Sequence, residues 1–176
     1  MAEGWDWMRV LTEPCPHCGF DASAVAPDDL AAALRDQAAA WEILLASSDD
    51  ARLRVRPADG TWTALEYGCH VRDLLSVMTE RVARTLVEDG PEYGWWDHEA
   101  SAVDEHYNEQ DPVAVAGDLA ANAEWMAGTL TLVQGAEWDR PGTRRGADPF
   151  TVAGLGRFTL HELAHHRGDA EARLAS

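Results

Sequence analysis

The sequence predicts an all-α protein, a four-helix bundle preceded by an N-terminal arm. Three observations predict it. Strand-type alternation of apolar and polar residues is nearly absent. Four segments carry apolar residues at helical spacing between capping and breaking residues. One connection, Asp89 to Gln110, far exceeds the roughly 2–8 residues usual between bundle helices, which suits a crossover joining parallel neighbours.

The arm, residues 1–26, holds a Cys-x-x-Cys motif, and the bundle spans 27–176. Pro27-Asp28-Asp29 places proline and acids where a helix start favours them. The first helix is expected from Leu30 to about Ala46, buried through Leu30, Leu34, Trp41, Leu44 and Leu45, and closed by Ser47-Ser48-Asp49-Asp50. A turn at Pro57-Ala58-Asp59-Gly60 precedes the second, where Thr63 and Glu66 have capping-box spacing. That helix is expected to reach Glu88, with Leu75, Met78, Val82 and Leu86 on one side, before Asp89-Gly90-Pro91 stops it. The long connection carries Trp95, Trp96 and His98. Either it borders a pocket, or it is a surface loop with a short helix around Ser101 to Tyr107. The third helix starts at Asp111-Pro112 and is expected to end near Gly135; the fourth starts near Thr151 and runs almost to the C-terminus.

Bulk properties exclude several functions. A length of 176 residues fits one domain with a real core. A formal net charge of −17 argues against nucleic acid and anionic membrane surfaces, because both recruit basic charge. All 14 basic side chains are arginine, which with the alanine richness suggests a GC-rich genome. No apolar run is long enough to span a bilayer, and the acidic start Met1 to Trp7 lacks a signal-peptide core. Three cysteines are too few for a disulfide framework, so a reducing, cytoplasmic setting is expected.

The chemistry concentrates in His161-Glu162-Leu163-Ala164-His165-His166. Residues four apart stack on one helix face, so this segment offers two chelating pairs, His161/His165 and Glu162/His166. With roughly 100° per residue, Val152, Leu163, Ala170 and Leu174 mark the core direction. Glu162 and His166 lie on its shoulder, whereas His161 and His165 face away; Phe158, also on the far side, breaks the pattern. His70 sits on a shoulder of the second helix. The expected metal triad is therefore His70, Glu162 and His166, with His161 and His165 as the alternative pair. Two imidazoles and a carboxylate suit zinc first, with nickel or iron next, and three ligands leave a coordination position open. Histidines without any metal are the plainer reading. Glu66 could orient His70 or serve only as the capping acid.

Cys15-Pro16-His17-Cys18-Gly19 resembles half of a zinc ribbon. An arm folded across the last helix would complete a closed site of Cys15, Cys18, His161 and His165. His17, a second subunit, a redox role without the βαβ context such motifs favour, or two reduced thiols in a loose arm are the alternatives. Cys69 reads as a small core residue.

Trp62 to Asp73, followed by His161 to Asp169, resembles the DinB-like superfamily, which includes mycothiol-dependent maleylpyruvate isomerases. The resemblance runs from about Pro27 to the C-terminus. It implies a four-helix bundle with a long crossover between helices two and three, and a divalent metal held by one ligand on helix two and two on the last helix. In the family's tail pattern, histidine-arginine-glycine-glutamine, His166-Arg167-Gly168 takes the ligand position and Asp169 replaces glutamine. Four residues earlier stands Glu162; a slip of one residue would select His161 and His165 instead. The implied activity is a thiol S-transferase or isomerase in which the metal ionises a mycothiol-type cosubstrate, acting on a small molecule. Metal-dependent hydrolysis and a non-catalytic metal-binding bundle are the competing readings. The resemblance also allows a homodimer, although no exposed heptad stripe demands one.

Overall fold

The computed structural model describes residues 6–175. Met1 to Trp5, most of the acidic start read above, lie outside the described residues. From Trp7 the arm folds into two short 3-10 turns, Trp7–Leu11 and Ala22–Ala24, each with an aspartate (Asp6, Asp21) accepting from its free N–H groups. Helices α1 (Leu30–Ser47) and α2 (Asp50–Leu53) follow, then α3 (Ala64–Val87). Strand β1 (Glu92–Tyr93) and helix α4 (His98–Asp104) occupy the crossover before α5 (Pro112–Leu130). Strands β2 (Pro141–Arg144) and β3 (Asp148–Thr151) lead into α6 (Val152–Ala175).

The four long helices form the expected bundle. α1 packs on α5 and α6, and so does α3, which leaves α1 and α3 diagonal. The starts are dictated locally. Thr63 accepts from the Glu66 N–H at 3.1 Å while Glu66 accepts from the Thr63 N–H at 2.8 Å, closing the capping box of α3. Pro112 opens α5 at the position where a missing N–H costs nothing.

One boundary changes, and the structure adds a minor sheet and fixes the place of the arm. α5 ends at Leu130, not near Gly135, and the chain continues through Gly135–Asp139 as a 3-10 turn. The all-α reading omits a small sheet of order β1-β2-β3, with β1 parallel and β3 antiparallel to β2. Its strands of two to four residues are too short to show a period of two. Left-handed backbone at Arg145 and Gly146 makes the β2–β3 turn, and Gly142 leaves room for the Tyr93 ring, where a Cβ would overlap the hydroxyl. The arm is packed on α6 through Trp7–Leu11 and Ala22–Ala24. Arg157 donates from Nε and Nη2 to the Val25 carbonyl at 3.1 and 3.0 Å, fixing its end.

The core runs between the helices through Leu34, Trp41, Leu65, Leu75, Leu119, Met126 and Leu163. Trp41 is fully buried and its indole N–H donates to the Leu163 carbonyl at 2.9 Å, which pins α6 against α1 one residue from Glu162. No helix among the described residues is long and apolar enough to cross a membrane.

Trp41→Ala is expected to lower unfolding free energy by about 3–5 kcal/mol in urea titrations. The exposed Trp125→Ala is expected to stay within about 0.5 kcal/mol of the parent. Equal losses at both positions would contradict this account of the core.

Candidate metal centre

The first eight residues of α3, Ala64 to Val71, are all buried, because α6 covers one side and the crossover another. Polar contacts fasten that crossover. The Tyr107 hydroxyl donates to Asp73 at 2.5 Å, Arg72 donates to Gln110 at 2.5 Å, and the Thr63 hydroxyl donates to the Asn108 side-chain oxygen at 2.8 Å. The pocket reading of this connection holds, whereas its short helix is His98–Asp104 rather than Ser101 to Tyr107, and Tyr107 is buried rather than on a surface loop. Trp96 lies flat on the His70 imidazole, with ring centroids 5.2 Å apart and planes 2° from parallel, and Trp62 and His98 flank the same ring.

Opposite His70 stands α6. Donor atoms of His70, Glu162 and His166 all lie within 4.8 Å of one another. The His70 and His166 rings meet edge to face at 4.9 Å, and Tyr67 stacks on the other side of His166. Two shoulders of facing helices converge, as the helical phases predict. His70 is 4% exposed, and its Nδ1 has no hydrogen-bond partner among the described residues. A buried polar atom left unpartnered costs about 1–3 kcal/mol, so this arrangement is one a cation would relieve. Two imidazoles and a carboxylate also match the donor chemistry of a borderline divalent ion. The residues fit a metal.

Glu66 does not orient His70. Its carboxylate is taken up by the Thr63 N–H and an ion pair with Arg56. The orienting carboxylate is Asp169, which accepts from His166 Nδ1 at 3.1 Å while His166 Nε2 lies 3.5 Å from Glu162. Its signal in the sequence was position: three residues beyond His166, hence on the same face.

Electrostatics follow from this crowding. Burial, reinforced by the charge of His166, holds His70 well below the ordinary imidazole range, so it is neutral and able to ligate. Burial would raise Glu162, but hydrogen bonds from His161 and His166 hold it well below the carboxylate range. Burial also opposes charge on His166; Asp169 and Glu162 outweigh it and push the ring up to about 9. Without metal, an imidazolium therefore sits between two carboxylates.

The pair expected to face away is not exposed. His161 is fully buried, and His165 is partly so, because the arm covers that side of α6. Phe158 is buried for a different reason: it packs edge to face on Phe150 of β3, with the Arg144 guanidinium over its ring, so the small sheet explains its departure from the helical pattern. Cys15 and Cys18 meet His165 and His161. Cys69 is a core residue whose thiol burial pushes up to about 12.

A cleft of about 960 Å³ opens beside the triad, lined by Trp62, Trp95, Trp96 and His98 and by Arg56, Arg81, Arg144, Arg145 and Arg173. Sequence reasoning singled out the tryptophans but missed the arginines, which come from separate elements.

A sequence model of the DinB superfamily matches residues 33–170. Among solved structures, YfiT from Bacillus subtilis matches with a TM-score of 0.75 at 18% identity, over 86% of this chain and 91% of that chain. That protein is described as a probable metal-dependent hydrolase with an unusual four-helix bundle topology. At this identity the match shows the fold. No curated protein matches the chain significantly.

In metal-free protein, His166 has a higher pKa folded than its ordinary 6.5. Its stabilising contribution is complete below about pH 6.5 and is lost as pH rises through about 9. Denaturation in chelator is expected to show stability falling across that window, with a smaller fall in Asp169→Asn. Identical profiles for the two proteins would remove Asp169 from this role.

Proposed function

The chain belongs to the DinB superfamily, and from that premise we propose that it is a divalent-metal-dependent enzyme with His70, Glu162 and His166 as ligands. The observation that carries this reading is the convergence of donor atoms from His70, Glu162 and His166, all within 4.8 Å of one another, at the wall of a ligand-sized cleft. Zinc suits the donor set best. Bound there, the ion would supply Lewis acidity that lowers the pKa of a thiol or a water molecule.

The protein's own groups do the rest. Asp169 holds the His166 ring by Nδ1 and leaves Nε2 directed toward Glu162. Trp96 fixes the plane of His70 and, with Trp62, keeps water from its faces. The cleft wall mixes charges: 5 of the 14 arginines stand with Glu66, Glu99, Glu109, Glu162 and Asp169, and Arg56 and Arg144 are paired with Glu66 and Asp148. Arg145 is the arginine proposed to meet an anionic group of a small molecule. It closes one side of the cleft, its guanidinium 3.6 Å from the centre of the Trp95 ring.

The reaction proposed is S-transfer or isomerisation with a low-molecular-weight thiol of the mycothiol type and an anionic electrophile. Hydrolysis is the second reading, favoured by the description of YfiT. Both use the same ligands and differ in the nucleophile. Metal-loaded protein is expected to consume mycothiol when offered carboxylate-bearing electrophiles. Turnover of ester or amide panels without any thiol would favour the hydrolase instead.

Asp169→Asn is expected to weaken metal affinity by about 10–100-fold in competition with a chromophoric chelator. His70→Ala and His166→Ala are expected to abolish tight binding at this centre. Unchanged affinity in all three would refute the ligand set.

A further inference from the structure

On the other face of α6 lies a second group of donors that the proposed reaction does not use. We propose that Cys15, Cys18, His161 and His165 form a closed, structural zinc site that clamps the N-terminal arm to the bundle. Their donor atoms all lie within 4.8 Å of one another. Cys15 Sγ is 4.0 Å from His165 Nδ1, and Cys18 Sγ is 3.9 Å from His161 Nε2. Zn–S and Zn–N bonds of about 2.3 and 2.05 Å at tetrahedral angles put sulfur and nitrogen about 3.6 Å apart. For these two pairs the remaining gap is a few tenths of an ångström.

The local backbone holds the two cysteines in one tight turn. The Cys15 N–H donates to the Phe20 carbonyl at 3.0 Å, the Gly19 N–H donates to the Cys15 carbonyl at 2.8 Å, and Gly19 adopts φ +74°. This tight turn brings both sulfurs to one side. Burial would raise the Cys15 thiol, but backbone N–H groups of Cys18 and His17 and the His161 side chain hold it below its ordinary value. No helix starts at the motif, which distinguishes it from redox motifs at helix N-termini.

Each histidine offers one ring nitrogen to a cysteine and the other to a carboxylate. His161 Nδ1 donates to Glu162 at 3.1 Å, and His165 Nε2 lies 3.5 Å from Asp169. That is the outer-shell pattern that fixes metal-binding imidazoles. Trp7 packs against both rings, at 5.9 and 5.2 Å. Four protein ligands leave no open position, so the site is structural. Two thiolates neutralise the zinc charge, and binding releases the thiol protons.

Cobalt(II) titration of the reduced, metal-free full chain tests the proposal. A thiolate-to-cobalt charge-transfer band is expected, saturating at one equivalent for this site and displaced by zinc(II). His70→Ala is expected to keep the band, and Cys15→Ser/Cys18→Ser to lose it together with one of two bound ions. Zinc(II) is also expected to slow reaction of the exposed Cys18 with a thiol reagent at least tenfold in the parent, a readout that needs no variant. A parent lacking both the band and the protection overturns the proposal, as does a band that survives loss of both cysteines. Loss of the metal at His70 with this band intact would instead count only against the catalytic centre.

Discussion

Glu162 carries one carboxylate between two histidines. One oxygen accepts from His161 on the arm side of α6, and the other faces His166 on the cleft side. Asp169, two turns along, also lies between two histidines, with its Oδ2 facing both His165 and His166. Burying three ionisable rings and two carboxylates in one segment is costly unless each charge has an opposite neighbour. The alternation of His and acid along α6 meets that condition, and it orders both faces of the helix together.

The rest of the fold holds this seam in place. Trp41 anchors α6 at Leu163, α3 supplies His70 from its fully buried first turns, and the crossover closes over His70 with Trp96. The arm completes the far side with Trp7 and the two cysteines. A change on one side of α6 is therefore felt on the other, because Glu162 and Asp169 serve both. Pinned by His161, Glu162 has its second oxygen aimed at the cleft.

Much of this was legible in the sequence because its causes are local. The capping box at Thr63 and Glu66, the proline at Pro112 and the spacing of leucines follow from neighbours within one or two turns. Helical phase separates Glu162/His166 from His161/His165 correctly, since four residues make nearly one turn. The environment of the far face was not legible. His161 reads as outward on a helical wheel and is buried only because a segment some 140 residues earlier folds over it. Phe158 reads as outward for a similar reason, since the small sheet buries it through Phe150 and Arg144. The small sheet escaped for a different reason: its strands are shorter than the pattern that identifies strands. Arg144 and Arg145 reach the cleft from that sheet and its turn, so the arginine lining was hidden with it.

The direct measurement is anomalous diffraction at the zinc edge from crystals of protein loaded with zinc. The account requires a peak bounded by His70, Glu162 and His166, and a second on the opposite side of α6 near Cys15 and Cys18. A well-ordered crystal grown with excess zinc that shows no peak beside His70 would contradict the central claim that this carboxylate–histidine seam is built around a metal.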